Sequence, residues 1–355
     1  MTKQAFMTEL KSALSPVEGD VRDEILSDIN EHFIEGASQG LSEDEICRNL
    51  GQASAIAAQV LEGVTAKAQP HQQSHEQYNH NRETTSHAAI DESFTGVDRL
   101  KITCDTASVR LMPSHDGQFR VTSRGDLKNH KISARNENGT LSVSVERVEK
   151  LFSFITFSFS FQSGPDIIIY VPSQFMGEIK GRTSLGSIKA TGISGLLDLK
   201  TEAGSIKVQE HRCNKVRLRS SMGSIKVQLL DGLVEDADIS TEAGSIKFEA
   251  SETRQLKMKS SMGSVKAEIT KLSGDSKIST DAGSVRLTAR EVEGNIDVRT
   301  SMGSVKVYLP ADVNCFIDAQ RPSMGSLNNQ LVGNRQSPYV LRASSDMGSI
   351  NLYAL

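Results

Sequence analysis

Seven basic residues, Lys189, Lys207, Lys226, Lys247, Lys266, Arg286 and Lys306, each stand three positions after a glycine. Cations repeated in one register are suited to binding polyanions, such as anionic lipid or a nucleic-acid backbone. The plainer reading is a solvated face in which lysines guard strands against aggregation. Like charges stacked at strand spacing repel, so the column carries a cost. No aromatic residue interleaves with it, which disfavours a single-stranded nucleic-acid site. A second basic column, four residues before the glycine, holds Lys200, Arg219, Lys259 and Arg299, with Glu202, Glu242 and Asp281 near it on every second repeat.

Other chemistry is sparse. The run from Leu151 to Phe161 holds Phe152, Phe154, Phe157, Phe159 and Phe161. As a strand it is apolar on parts of both sides, which fits a doubly buried strand or an exposed aromatic lip for a membrane or partner. His71, His75, His80 and His87 lie in a polar stretch without fixed geometry, so no metal site is expected. Cys47, Cys104, Cys213 and Cys315 are scattered, as buried thiols are and as disulfide or zinc frames are not. No nucleophile–base–acid constellation and no clustered carboxylates are spaced interpretably. We expect no enzyme and no cofactor.

These residues hang on a repeat. Gly-Ser recurs at Gly186, Gly204, Gly223, Gly244, Gly263, Gly283, Gly303, Gly325 and Gly348, at intervals of 18 to 23 residues. Alternating runs flank each pair, such as Val216-Arg217-Leu218-Arg219 before and Ile225-Lys226-Val227 after. Period-two alternation marks strands, and the glycine permits a sharp bend between them. A period near twenty implies stacked units that share one core. The predicted fold is mainly β: a single-chain β-solenoid of about nine turns, roughly 40 Å long at strand spacing, preceded by a small all-α domain.

Counting back from the glycine in steps of two gives an inward column. Leu185, Ala203, Met222, Ala243, Met262, Ala282, Met302, Met324 and Met347 directly precede it. The alternation of Met and Ala predicts core filling, large side chains over small ones. Thr183, Thr201, Ser220, Thr241, Ser260, Thr280 and Thr300, two positions earlier, read as structural hydroxyls bonding along the stack.

Residues 1–66 read as a separate helical domain with 4 basic and 12 acidic side chains, whereas residues 176–355 hold 24 and 20. Phe6, Leu10 and Leu14 mark one helical face, and Ile25, Ile29, Phe33 and Ile34 another. Capping boxes are expected at Ser15-Pro16-Val17-Glu18 and Ser42-Glu43-Asp44-Glu45. Asp28-Ile29-Asn30-Glu31-His32-Phe33, Gly40 to Glu45, and Asn49-Leu50-Gly51 resemble the HAAS domain. That family commonly sits before membrane segments or β-repeat modules in bacterial signalling proteins. Residues 67–90 read as a flexible polar tether rich in His and Gln.

Residues 91–175 are strand-rich outside the repeat, with Asn138-Gly139 as a hairpin signal. They are expected to begin the solenoid, whose repeats fill 176–355, and to cover its first rung. Ile169-Tyr170-Val171-Pro172, Thr183-Ser184-Leu185-Gly186-Ser187-Ile188 and Tyr308-Leu309-Pro310 are similar to the bacterial β-strand-repeat family called "putative adhesins". The resemblance implies a β-solenoid without established catalytic activity. It also implies, with a HAAS-like head, a cytosolic protein associated with envelope stress. No apolar stretch approaches a membrane span, and the first residues lack a signal-peptide pattern. The expectation is a cytoplasmic scaffold or adaptor, peripheral at the inner face of the membrane, whose acidic head binds a protein such as a membrane stress protein. The alternatives are a polyanion-binding regulator using the basic column and, third, an exported adhesin. The rung at Met347 to Leu355 is expected to end the stack as an open edge, which would favour homo-oligomers.

Overall fold

The computed structural model describes residues 1–17, 42–57, 89–148 except 126, 128 and 129, and 164–355, with positions 22, 26, 29, 30 and 33. They form two units, one helical and one of strands. The linker histidines and the run Phe152 to Phe161 lie outside the described residues.

In the helical unit, α1 spans Lys3–Ala13 and is capped by the Thr2 hydroxyl, which accepts the Ala5 N–H. Helix α2, Glu43–Leu50, begins in the expected capping box: the Ser42 hydroxyl accepts from Glu45 N, and the Glu45 carboxylate accepts from Ser42 N at 2.9 Å. Gly51 ends it at φ +81°, a backbone conformation that glycine takes without steric cost. Phe6, Leu10, Leu14, Ile29, Phe33, Ile46 and Ile56 share one core, in which Phe6 meets Phe33 edge to face. The helix expected after Ser15 is described only at isolated positions.

The described residues of the strand unit form a continuous 24-stranded sheet wound into two rows that face each other across one apolar core. Row A begins with the antiparallel hairpin of β5 (His130–Glu137) and β6 (Thr140–Arg147), turned by Asn138 and Gly139 at positive φ. Parallel strands follow: β2 (Arg99–Thr106), β8 (Glu178–Leu185), β10 (Leu196–Ala203), β12 (Lys215–Met222), β14 (Leu233–Ala243), the second half of β15 (Ile246–Met262), β17 (Ser276–Ala282) and β19 (Ile296–Met302). Row B begins with β1 (Asp91–Phe94), β4 (Phe119–Arg124) and β7 (Asp166–Pro172), paired antiparallel. Then come β3 (Ser108–Ser114), β9 (Ile188–Thr191), β11 (Ile206–His211), β13 (Ile225–Leu229), the first half of β15, β16 (Val265–Leu272), β18 (Val285–Val292) and β20 (Val305–Leu309), all parallel. Strands β2 and β3 thus make the first rung. The β5–β6 hairpin covers it in row A, and β7, β4 and β1 cover it in row B.

Each rung turns from row A to row B at its Gly-Ser corner. Val216, Leu218 and Ser220 point inward before the corner, and Ile225 and Val227 after it. The glycines stack on one another. A β-carbon on Gly263 would lie 2.2 Å from the carbonyl oxygen of Gly244, and Gly204, Gly223, Gly244, Gly283 and Gly303 repeat the arrangement. The hydroxyls before the corner are buried, as expected from the sequence. Thr201, Ser220, Thr241, Ser260, Thr280 and Thr300 each donate to the corner-glycine carbonyl of the preceding rung, at 2.8 to 2.9 Å.

Two expectations are corrected. First, the residue before the glycine is not in the core. Leu185 is 54 %, Met222 62 %, Met262 61 %, Met302 52 %, Met324 67 % and Met347 45 % exposed. Alternation ends at the buried hydroxyl. The strand bends over the next two residues, and the Met side chain swings outward at the corner. Second, Met347 to Leu355 do not form the outer rung. Strands β23 (Val340–Met347) and β24 (Ile350–Ala354) pair directly with β19 and β20. Strands β21 (Phe316–Ala319) and β22 (Leu327–Asn329), earlier in the chain, lie outside them. The exposed edge at that end belongs to strands of four and three residues, and short edge strands discourage further pairing.

Candidate functional site

The basic column is a single row on the outer side of row B. Lys189, Lys207, Lys226, Lys247, Lys266, Arg286 and Lys306 are direct cross-strand neighbours, rung after rung. Arg110 extends the row by one rung, opposite Lys189. Sequence reading missed it because Ala107-Ser108 stands where later rungs have Gly-Ser. The signal was there in a basic residue three positions after Ala107 and an alternating Val109-Arg110-Leu111.

Charge along the row is uneven. Lys247 and Lys266 pair with Glu249 and Glu268, two residues along the same strands. The hydrogen bond from Lys266 holds the Glu268 carboxyl below its ordinary range, and the bond to Glu249 raises Lys247. Arg110 pairs with Asp166 at 2.8 Å, and Arg286 lies over the Tyr308 ring. Lys189, Lys207 and Lys226 have Thr191, Gln209 and Gln228 at the position where Glu249 and Glu268 stand. Lysines at strand spacing without counter-charge are an electrostatic cost to the fold, and a bound anion would offset it.

Beside this row runs a row of corner serines, stitched along the stack. Ser205 N–H donates to Ser187 Oγ at 3.1 Å, and Ser245 N–H to Ser224 Oγ at 3.2 Å. The corner carries the outward ridge Leu185, Ala203, Met222, Ala243, Met262, Ala282, Met302, Met347 and Met324, in continuous register. Beyond the ridge, on the outer side of row A, lie exposed Arg182, Lys200, Arg219, Lys259 and Arg299. Arg219 pairs with Asp238 at 3.3 Å and Arg299 with Asp297 at 2.6 Å. Glu202, Glu242, Asp281 and Asp346 stand between the ridge and this second row, the first three beside an alanine. The corner is therefore an apolar edge with a cationic row on the row B side and a band of mixed charge on the row A side.

In the helical unit, the acids of the first turn of α2 have internal work. Glu43 accepts from Lys3 N at 2.9 Å, and Asp44 binds the Met1 ammonium at 2.6 Å and Arg48 at 2.7 Å. These contacts, the hydrogen bond to the ammonium first, pull Asp44 below the ordinary carboxylate range.

No acid–base constellation is assembled among the described residues. A cleft of about 440 Å³ between Phe94, Phe119 and Phe175 is lined by one carboxylate, Asp98. No cluster of His, Cys, Asp and Glu suited to a metal occurs among the described residues. Burial pushes the Cys104 and Cys213 thiols up to about 12 and Cys315 to about 11, which makes poor nucleophiles of them. No helix among the described residues is long and apolar enough to cross a membrane.

Residues 97–344 match the family Toastrack DUF4097, and residues 5–59 match HAAS. No curated protein matches the sequence. Among solved structures, a "putative adhesin" from Bacteroides fragilis NCTC 9343 is similar at 14 % identity and a TM-score of 0.34, over 75 % of this chain and 98 % of that one. A "putative cell adhesion protein" from Clostridium sporogenes ATCC 15579 is similar at 12 % identity and a TM-score of 0.22, over 76 % and 100 %.

Proposed function

The chain belongs to the Toastrack DUF4097 family, and from the surface its repeats present we propose that it is a non-catalytic scaffold. The stacked unit offers a rigid, periodic face. The HAAS unit recruits a protein partner at the inner face of a bacterial envelope, in the service of an envelope-stress response. The observation that carries this reading is the row from Lys189 to Lys306. Six lysines and one arginine are held in register over seven rungs by backbone pairing, an arrangement that suits an extended contact and not a reaction centre. The test is a crosslinked pull-down from native cells with the whole protein and with a version lacking residues 1–66. Membrane stress proteins recovered only with the helical unit support the adaptor. Recovery of the protein alone in both versions refutes it.

A second reading, a polyanion-binding regulator, is favoured by Lys189, Lys207 and Lys226, which lack the carboxylates that neutralise Lys247 and Lys266. Binding of this kind falls steeply with salt. It should be lost on reversing Lys207 and Lys226, and salt-insensitive binding speaks for the adaptor.

A further inference from the structure

We infer that the Gly-Ser corner of the stack is a membrane-docking edge, in which the ridge from Leu185 to Met324 enters the headgroup region of an anionic bilayer while the basic row from Lys189 to Lys306 beside it engages lipid phosphates. The inference deepens the polyanion reading, on which it rests for its charge, by naming the ligand as lipid and adding an apolar component.

Exposure comes first. Six large apolar side chains, Leu185, Met222, Met262, Met302, Met347 and Met324, stand 45 to 67 % exposed in one line. Adjacent rungs are in register without a break. Eight intervals at strand spacing make the line about 38 Å long. A contiguous apolar feature of this kind on a soluble face marks a surface that is covered in use.

Charge selects the cover. Lys189, Lys207, Lys226, Lys247, Lys266, Arg286 and Lys306 lie on one side of the line, and Arg182, Lys200, Arg219, Lys259 and Arg299 on the other. The row next to the ridge holds four acids, Glu202, Glu242, Asp281 and Asp346. A second copy of the chain would offer the row from Lys189 to Lys306 either its own cations or a band of mixed charge. A sheet of phosphates offers that row anions along its whole length. Long basic side chains reach headgroups while their stems cover apolar surface, and unbranched thioethers adapt to a fluid boundary.

Placement is consistent with this. Met302, Met347 and Met324 follow one another without an intervening alanine. On the same rungs, outward on row B, Tyr308 and Tyr353 stack at 4.9 Å. Tyrosine is the side chain enriched where water meets lipid. The edge is also stiff. Backbone pairing and the serine stitching fix every ridge position, so little conformational freedom is lost on docking.

The experiment is co-sedimentation of the whole protein with phosphatidylglycerol/phosphatidylcholine vesicles and with phosphatidylcholine vesicles, beside retention on immobilised inorganic polyphosphate, each at low and high salt. The variants are Met222→Gln/Met262→Gln/Met302→Gln and Lys207→Glu/Lys226→Glu. Both alter outward side chains, so thermal unfolding should match the parent. The expected result is binding to the anionic vesicles only, weakening with salt. The Met variant should lose on the order of a hundredfold in vesicle affinity, roughly fivefold for each half-exposed thioether, with polyphosphate binding unchanged. The Lys variant should lose at least about tenfold for vesicles. Vesicle binding unaltered in the Met variant overturns the inference and leaves the polyanion reading standing. Absence of binding to both vesicles and polyphosphate overturns both. A concentration-dependent dimer in light scattering that the Met variant abolishes makes the ridge a contact between copies and overturns it too.

Discussion

The glycine stack can be tested by separating its two demands, an unusual backbone angle and a missing β-carbon. Gly263 has φ +140° and Gly232 has φ +142°. At Gly232 a β-carbon meets nothing within 4 Å, whereas at Gly263 it would lie 2.2 Å from Gly244 O. Alanine at either site pays for the backbone angle, about 1–3 kcal/mol. At Gly263 it also displaces a carbonyl that accepts the buried Ser260 hydroxyl at 2.8 Å, and it disturbs the bond from Gly263 N to Met262's neighbour across the rung, Ala282 O, also 2.8 Å. An unsatisfied buried hydroxyl costs about 1–3 kcal/mol and a weakened ladder bond about 1. Gly263→Ala should therefore lose about 2–4 kcal/mol more than Gly232→Ala. Urea unfolding followed by far-ultraviolet circular dichroism measures both, with the slope checked because a stack of rungs can unfold in parts. Equal losses, within roughly 0.5 kcal/mol, would show that the close approach of successive glycines does not shape the corner.

Three further outcomes are expected. Thr241→Val removes a buried hydroxyl bonded to Gly223 O at 2.9 Å and should cost about 0.5–1.5 kcal/mol, read by the same unfolding curve; no change would make the hydroxyl column ornamental. The thiols of Cys104, Cys213 and Cys315, raised by burial to between about 11 and about 12, should resist a disulfide reagent at pH 8 in the folded protein and react in denaturant, and rapid labelling of the native protein would contradict their placement. His211 is fully buried, with Nε2 at 2.9 Å from Gly195 O, and desolvation pulls its pKa below the ordinary value despite that carbonyl. The unfolded chain thus binds the proton more readily, so its contribution is complete above the unfolded pKa, near 6.5, and is lost as pH falls toward the lower folded value. His211→Gln should flatten the fall in melting temperature between pH 6.5 and the acid range, and an unchanged slope would dismiss the imidazole as its source.

The parts of the fold legible in sequence are those set by strict periodicity. Val216, Leu218 and Ser220 alternate with charged residues, and a period of two assigns them inward without any knowledge of neighbours. The hydroxyl column and the basic column follow from the same count. The methionines defeated it because the alternation stops two residues before the glycine, where the strand bends. Met222 is apolar, and parity extended through the bend put it inside. Nothing in one rung's sequence marks where the bend starts. The order of the last rungs was hidden for a different reason. Every corner carries the same Gly-Ser, and parallel pairing of like with like is equally good between Met302 and Met347 as between Met302 and Met324. Arg110 was hidden by Ala107, which replaces glycine at the first corner. The residue sits there without positive φ.

The inverted order of the final rungs has a consequence for biosynthesis. β21 pairs with β23 and β22 with β24, and among the described strands neither has another parallel partner. Residues 316–329 therefore leave the ribosome before the surface they rest on exists. In its native pairing, the outermost layer can be laid down only after residues 340–354 have been made. A chain interrupted before residue 340 lacks the strands that natively cover β19 and β20, and these then stand open to out-of-order pairing with residues 316–329.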